Sequence, residues 1–142
     1  MGPRNRGARR DLLHLAAGRL GVPKNVKVIQ AREFVRGTPE GRVFLDEAEQ
    51  LLKDIALAGA GLDGFHVLVD TRAVTAGLSA TELWHLAGKV ASLRQDASRR
   101  IAILCPKERF DHSVFFALCA ENRGLNVRAF MGYEDAMEWL LE

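Results

Sequence analysis

Short apolar segments alternate along this chain with longer segments whose apolar residues recur every three to four positions. The short segments are typical of strands, and the longer ones are typical of amphipathic helices. Strands that are separated by a helix need crossover connections, and such connections produce parallel sheets. The alternation therefore predicts an α/β fold with a mostly parallel sheet of four to five strands that is covered by helices.

Four segments are predicted to form the strands of this sheet. Residues 26–35 are expected to be one opening strand that bends near Ala31. Phe65–Asp70 and Ile101–Cys105 are apolar almost throughout, which indicates burial on both faces, and we expect the first of them to be the central strand. Asn126–Met131 has mixed character and is predicted to lie at an edge.

Capping signals and apolar stripes predict the helices. Asp46 and Glu49 have the spacing of a capping box, and Ser79 and Glu82 repeat it. The predicted helices cover residues 46–58, 79–93, 111–122 and 134–141.

The third predicted helix has a marker at each end. Asp111 is expected to be its N-cap, and Gly124 is expected at the C′ position, where glycine adopts the left-handed conformation at little cost. Residues 36–41 contain two glycines and a proline and are predicted to be a loop.

The distribution of charge divides the chain into two parts. The 142 residues, of which 48% are hydrophobic, suffice for one domain. Residues 1–25 contain six basic side chains and one acidic side chain, whereas residues 26–142 contain 14 basic and 17 acidic ones. We therefore expect a basic lead-in with a short helix, 1–25, and a mildly acidic domain, 26–142. Because nucleic-acid binding needs a basic stripe on a folded face, we do not expect a nucleic-acid partner.

Other classes of protein are disfavoured by what the sequence lacks. No apolar segment approaches the ~20 residues that cross a bilayer, and the N-terminus has no apolar core of a signal peptide. We expect a cytoplasmic protein whose lead-in does not bind membranes. Cys105, Cys119 and the four histidines do not have the spacing of a zinc site, so we expect free thiols, no metal and no cofactor.

The predicted parallel strands bring polar residues to one edge of the sheet, beyond their carboxyl ends. Ligands of parallel α/β proteins gather at this edge. Three basic side chains there indicate a candidate site for an anion or a partner, although Asp70 and Asp111 dilute their charge. The candidate residues at this edge are Asp70, Thr71, Arg72, Lys107, Arg109 and His112.

Two motifs with possible chemistry lack the context that they need. Cys105, Asp111 and His112 have the residue types of a thiol nucleophile, an orienting acid and a base, but no oxyanion-hole motif accompanies them. Gly59–Gly64 matches the letters of G-x-G-x-x-G, but it follows a predicted helix and precedes a predicted strand, which is the reverse of the dinucleotide-binding order. We therefore expect no enzymatic activity.

Five segments together resemble a known family. They are Leu68–Arg72, Leu78–Leu83, Ile101–Leu104, Val127–Phe130 and Ala136–Leu140. Taken in this order, they are similar to STAS domains of the anti-sigma-factor antagonist type, and particularly to the small bacterial SpoIIAA-like (STAS/CRAL-TRIO-like) proteins, most of which are uncharacterised. The resemblance covers about 26–142. It implies the SpoIIAA-like topology and a binding function.

The resemblance also implies roles for one serine and one helix. Ser79 stands where STAS domains carry a phosphoacceptor, but phosphorylatable members have an aspartate directly before it and this chain has Leu78. The helix that follows, here residues 79–94, meets the partner kinase in STAS domains. Its apolar arc is widened by Trp84, Leu86 and Leu93, which indicates either deep burial or a partner surface.

We therefore expect a non-catalytic domain that acts through protein–protein interaction, with a protein partner or with a second copy in a homodimer. The alternative is a carrier or sensor of a small apolar or anionic ligand, in a pocket at the strand carboxyl ends or between helices. A pocket between helices would be lined by Trp84, Phe115 and Phe116, whereas a partner surface would leave these side chains exposed.

Overall fold

The computed structural model describes residues 26–29, 34–59, 65–93 and 99–142, with the backbone alone for 26–29 and Leu93. The predicted lead-in, 1–25, lies outside the described residues. The strands are β1 (Val26–Ile29), β2 (Phe34–Gly37), β3 (Gly41–Arg42), β4 (His66–Asp70), β5 (Val74–Ala76), β6 (Arg100–Leu104) and β7 (Asn126–Phe130). The helices are α1 (Leu45–Ala58), α2 (Ala80–Leu93), α3 (Phe110–Glu121) and α4 (Tyr133–Leu140). In the described ranges no helix combines the length and the apolar character needed to cross a membrane.

The main sheet has five strands in the order β1-β2-β4-β6-β7. Strands β2, β4, β6 and β7 pair in parallel, and β1 pairs antiparallel with β2. The predicted α/β class with a mostly parallel sheet is thus confirmed, as are the central position of β4 and the edge position of β7.

Helices cover both faces of this sheet. On one face, α1, α2 and α3 pack on side chains that include Val35, Val67, Ile103 and Val127. On the other face, Ala136 and Leu140 of α4 pack on Phe34, Leu68, Ala102 and Leu104. Because successive residues of a strand point to opposite faces, the apolar segment of β4 supplies both layers of the core.

The prediction of one opening strand over 26–35 is wrong. The structure has two strands there, which pair antiparallel with Val26 opposite Gly37 and Ile29 opposite Phe34. Residues 30–33 are Gln-Ala-Arg-Glu and include none of the glycine, proline, asparagine or aspartate residues that mark a reversal. The residue pattern therefore indicated a bend but no reversal of the chain, and the bend predicted near Ala31 lies outside the described residues.

A second, two-stranded sheet was not predicted. Strands β3 and β5 pair in parallel, and the pairing is extended by bonds from Gly41 N to Ala73 O (3.0 Å) and from Val43 N to Ala76 O (2.9 Å). The predicted loop over 36–41 therefore contains the end of β2 and the start of β3. Strands of two and three residues are too short to show a period. The small sheet ties the segment before α1 to the segment before α2.

Two predicted helix starts are displaced. Helix α1 begins at Leu45, and the Glu47 carboxylate accepts a hydrogen bond from Phe44 N (3.1 Å), so the predicted Asp46–Glu49 capping box is wrong. A 3-10 turn, Lys107–Arg109, leads directly into α3, which places Asp111 in the first turn of that helix and not at its N-cap.

The other two local signals are confirmed. Ser79 N donates to Glu82 Oε1 (3.0 Å) and Glu82 N donates to Ser79 Oγ (3.2 Å), which is the predicted reciprocal capping box. Gly124 has a φ of 86° and donates to Glu121 O, while Leu125 N donates to Ala120 O, so α3 ends in a Schellman motif with glycine at C′.

Two glycines should respond oppositely to replacement by alanine. A Cβ at Gly59 would overlap the ring of the buried Phe65, whereas a Cβ at Gly88, inside α2, would make ordinary contact with Arg123 at 3.5 Å. We expect Gly59→Ala to lower the free energy of unfolding by about 1–3 kcal/mol through overpacking. Gly88→Ala should raise it by up to about 1 kcal/mol through helix propensity. Urea denaturation of both variants tests this, and equal effects would contradict it.

Asp54 is a buried acid on α1, with 3% of its surface exposed. Gln50 Nε2 donates to its Oδ1 at 2.9 Å, and its Oδ2 has no hydrogen-bond partner among the described residues. Burial raises the pKa of Asp54, and the bond from Gln50 offsets only part of this effect. The folded state therefore binds the proton more tightly than the unfolded state, and stability is lost as the pH rises through the folded pKa.

We expect Asp54→Asn to raise the melting temperature at about pH 7, because it removes the buried charge and keeps an acceptor for Gln50. The gain should correspond to about 1–3 kcal/mol at neutral pH, shrink as the pH falls through the raised folded pKa, and be absent below the unfolded pKa of about 3.8, where the wild-type side chain is protonated in both states. Thermal denaturation across this pH range measures it. The control is Asp46→Asn on the exposed side of the same helix, which should show no gain at any pH.

Candidate functional site

A partly enclosed cavity of about 500 Å³ lies between one face of the main sheet and the helices that cover this face, α1, α2 and α3. Val69, Ile101 and Ile103 of the central strands form its floor. Its walls come from α1, α2 and α3, where Leu51 and Phe116 are among the apolar side chains that line it. The cavity is therefore an apolar space at the centre of one face of the domain.

Small residues help to keep this space open. Ala48 lines the cavity from α1, between leucines that fill the remainder of that helix face. Gly77 lines it from the segment before α2, and a Cβ at this position would meet Arg109 Cδ alone, at 4.0 Å. The side chain of Arg109 thus passes beside a position that has no side chain.

Polar groups collect where the cavity meets the carboxyl edge of the sheet. Thr71 follows β4, and Arg109, His112 and Ser113 come from the start of α3. Arg109 Nη2 donates to Thr71 O at 3.1 Å, and Thr71 Oγ1 donates to Leu104 O at 2.9 Å. The structure therefore brings three of the predicted edge residues, Thr71, Arg109 and His112, to the side of the cavity that lies at this edge. Ser113 was not predicted.

Two carboxylates also line the cavity, one from the segment before α1 and one from the first turn of α1. Glu40 is exposed, and Glu47 accepts the hydrogen bond from Phe44 N. Among the described residues, the lining thus has the guanidinium of Arg109 on the α3 side and two carboxylates on the α1 side.

Asp70 belongs to a separate cluster at the same edge. Its Oδ2 accepts hydrogen bonds from Arg36 Nη2 (3.0 Å) and Arg72 Nη2 (2.8 Å), and its Oδ1 accepts from Arg72 N (3.1 Å) and Nε (3.0 Å). Burial alone would raise the pKa of Asp70, but the bonds from Arg72, its charge and the bond from Arg36 outweigh burial and hold the pKa below its ordinary value. The positive charge of Arg72 is therefore paired with the carboxylate of Asp70 within the fold.

Arg36 was not predicted as a site residue, because no pattern in the sequence indicates that β2 pairs with β4. Once the strands are aligned, Arg36 stands opposite Leu68, two residues before Asp70. The register of the two parallel strands is the signal that would have identified it.

The remaining predicted site residues are dispersed. Lys107 is exposed and is not part of the cavity lining, and Ser79 is exposed at the start of α2. Trp84 is 50% exposed, whereas Leu86 is buried in the core and lines the cavity. Of the two alternatives for this arc, deep burial therefore applies to Leu86, because its side of α2 faces the sheet, and exposure applies to Trp84. The side chain of Leu93 lies outside the described part.

The three residues considered for thiol chemistry do not form a nucleophile and base. Cys105 is fully buried, and its thiol contacts Phe130 O at 3.4 Å and the Ser113 side chain. Burial raises the pKa of Cys105 despite the bond with Ser113 and the charge of Arg109. Over the described ranges, no hydrogen bond joins His112 to this thiol, and no three His, Cys, Asp or Glu side chains cluster as metal ligands would.

Comparison with solved structures supports the fold. An uncharacterized protein of the DUF3478 family with a SpoIIAA-like fold, from Shewanella loihica PV-4, superposes with a TM-score of 0.54 at 19% sequence identity. The match covers 81% of this chain and 90% of the other. No family model and no curated protein matches the sequence. The predicted SpoIIAA-like fold is confirmed.

The Asp70 cluster should make stability sensitive to its carboxylate. Asp70→Asn leaves two arginines without their charged partner, and both are partly exposed, so we expect a loss of about 2–3 kcal/mol, below the 3–5 kcal/mol of fully buried pairs. Since the folded pKa is lowered, the contribution of Asp70 is complete above the unfolded pKa of about 3.8 and is lost as the pH falls through the folded value. Urea denaturation at neutral and acid pH measures both effects. A loss that persists at the lowest pH would contradict an electrostatic origin.

Proposed function

We propose that this domain is a non-catalytic binding module whose cavity takes a small, largely apolar ligand. The observation that carries the proposal is the cavity of about 500 Å³ between the sheet and α1, α2 and α3. Pockets of roughly 300–1,000 Å³ with an apolar lining and a few polar groups at one side are the usual form of small-molecule sites.

The position of the cavity supports the same function. Thr71 and Arg109 line it at the carboxyl edge of the parallel strands, where α/β domains bind their ligands. The buried Cys105 thiol with its raised pKa argues against a nucleophile at this edge.

A protein partner or a second copy of the chain is the second candidate, and a separate observation favours it. Trp84 on α2 and Leu118 on α3 are 50% and 54% exposed, and Phe115 is also exposed. The Arg123 guanidinium lies 4.9 Å from the centre of the Trp84 ring. Exposed tryptophan and arginine are enriched at protein interfaces. Of these side chains, none lines the cavity, so the two functions use different surfaces of α2 and α3.

Binding of a neutral apolar dye, N-phenylnaphthylamine, tests the ligand function. We expect the protein to bind it with one site and Leu83→Trp to weaken binding by at least about tenfold, or ~1.4 kcal/mol, because Leu83 is a half-buried part of the lining and the indole fills the space. Fluorescence titration measures the affinity.

The control is Leu118→Trp, which adds the same side chain at an exposed position outside the cavity and should leave dye binding unchanged. Native mass spectrometry of the purified protein reports the bound ligand and the number of subunits together. Absence of dye binding would exclude the ligand function, and a bare monomer would exclude self-association.

A further inference from the structure

The polar side of the cavity indicates which chemical group a ligand would carry at its polar end. Arg109 is the one lysine or arginine among the described residues that line the cavity, and it is half-buried. Its Nη2 donates to the neutral Thr71 carbonyl at 3.1 Å. A guanidinium has five N–H donors in a fixed plane, and this bond occupies a single one of them.

The surroundings of Arg109 favour an acceptor from a ligand. Gly77 places no side chain beside Arg109, since even a Cβ there would come no nearer than 4.0 Å, to Arg109 Cδ. His112 and Ser113, which follow on α3, also line the cavity and supply further polar groups at the same side. A carboxylate that accepts from Arg109 forms a pair in which donor and acceptor are both ionised, and its two oxygens can accept two parallel N–H bonds from the guanidinium, which a single carbonyl oxygen cannot do.

The acidic groups of the lining limit the charge of such a ligand. Glu40 and Glu47 lie on the α1 side and would repel a second negative charge on a ligand in the cavity. A single carboxylate held against Arg109 keeps its charge on the α3 side. The rest of the ligand then lies over Val69, Ile101 and Ile103, which are apolar.

We propose that the ligand of this cavity is an amphipathic monocarboxylate, with the carboxylate on Arg109 and an apolar chain inside the cavity. This inference rests on the proposed ligand-binding function. At the ~30 Å³ that a water molecule occupies in the liquid, 500 Å³ corresponds to roughly 17 non-hydrogen atoms. The size fits a medium-length alkyl chain with one head group.

The test compares head groups on one alkyl chain. Decanoate, decanol and decylamine are each used to displace N-phenylnaphthylamine from the full-length protein near neutral pH. We expect decanoate to bind about tenfold more tightly than decanol, and decylamine to bind no more tightly than decanol. Arg109→Gln should reduce the affinity for decanoate to that for decanol, while the affinity for decanol stays within about twofold.

Two variants control for the charge and for the fold. Lys107→Gln removes a neighbouring positive charge outside the lining and should leave all three affinities unchanged. Arg109→Lys retains the charge and should keep a preference for decanoate, reduced because the planar pair of donors is lost. Dye binding by each variant shows that its cavity is intact.

The outcomes separate this inference from the proposed function. Equal affinity of the wild-type protein for decanoate and decanol, or tighter binding of decylamine, would overturn the monocarboxylate while the cavity remained a ligand site. Loss of decanoate preference in Lys107→Gln would overturn the assignment to Arg109. Failure of the wild-type protein to bind the dye or any of the three compounds would overturn the ligand function itself.

Discussion

Burial of β4 on both faces is the constraint on which the other elements depend. Val67 and Val69 point towards α1–α3, and Leu68 points towards α4, so helices must cover both sides of the strand. Parallel pairing with β2 and β6 places the carboxyl ends of these strands at one edge. The ladder continues past the strands through Thr71 N to Leu104 O (2.7 Å) and Cys105 N to Phe130 O (2.9 Å), which makes that edge a continuous rim. The Asp70 cluster and the polar side of the cavity both lie along this rim.

The features that could be predicted from the sequence are those whose cause is local. Ser79 and Glu82 satisfy each other's backbone amides within one turn, and Gly124 ends α3 because its own φ is positive, so each is visible in a few consecutive residues. Arg36 and strand β5 depend instead on partners 34 and 33 residues away, as the pairs Arg36–Asp70 and Gly41–Val74 show. Local patterns carry no information about such pairings.

The cavity agrees in kind, but not in composition, with the alternative of a pocket between helices. Such a pocket would have been lined by Trp84, Phe115 and Phe116, and of these Phe116 alone lines the cavity. Helical spacing identifies an apolar arc but does not say which part of a wide arc meets the sheet. Trp84 lies two residues before Leu86, which is about 200° around the helix, so burial of Leu86 turns Trp84 outwards. The three-dimensional packing of α2 decides this orientation.

The two faces of the sheet differ in how completely they are packed. Under α4, the buried side chains form one cluster, whereas under α1–α3 they form two, and residues of both, such as Leu51 and Phe116, line the cavity between them. Protein interiors are normally close-packed, so a space of this size forgoes contacts that the helices would otherwise make with each other. A ligand that binds the folded state restores those contacts and stabilises it in proportion to the logarithm of its concentration above Kd. Because α2 lines the cavity with Leu86 and Val90 and presents Trp84 on its outer side, a ligand that fixes this helix also fixes the surface that a partner would meet. If a ligand changes the affinity for a partner in this way, the partner must change the affinity for the ligand by the same factor, so the two candidate functions do not exclude each other.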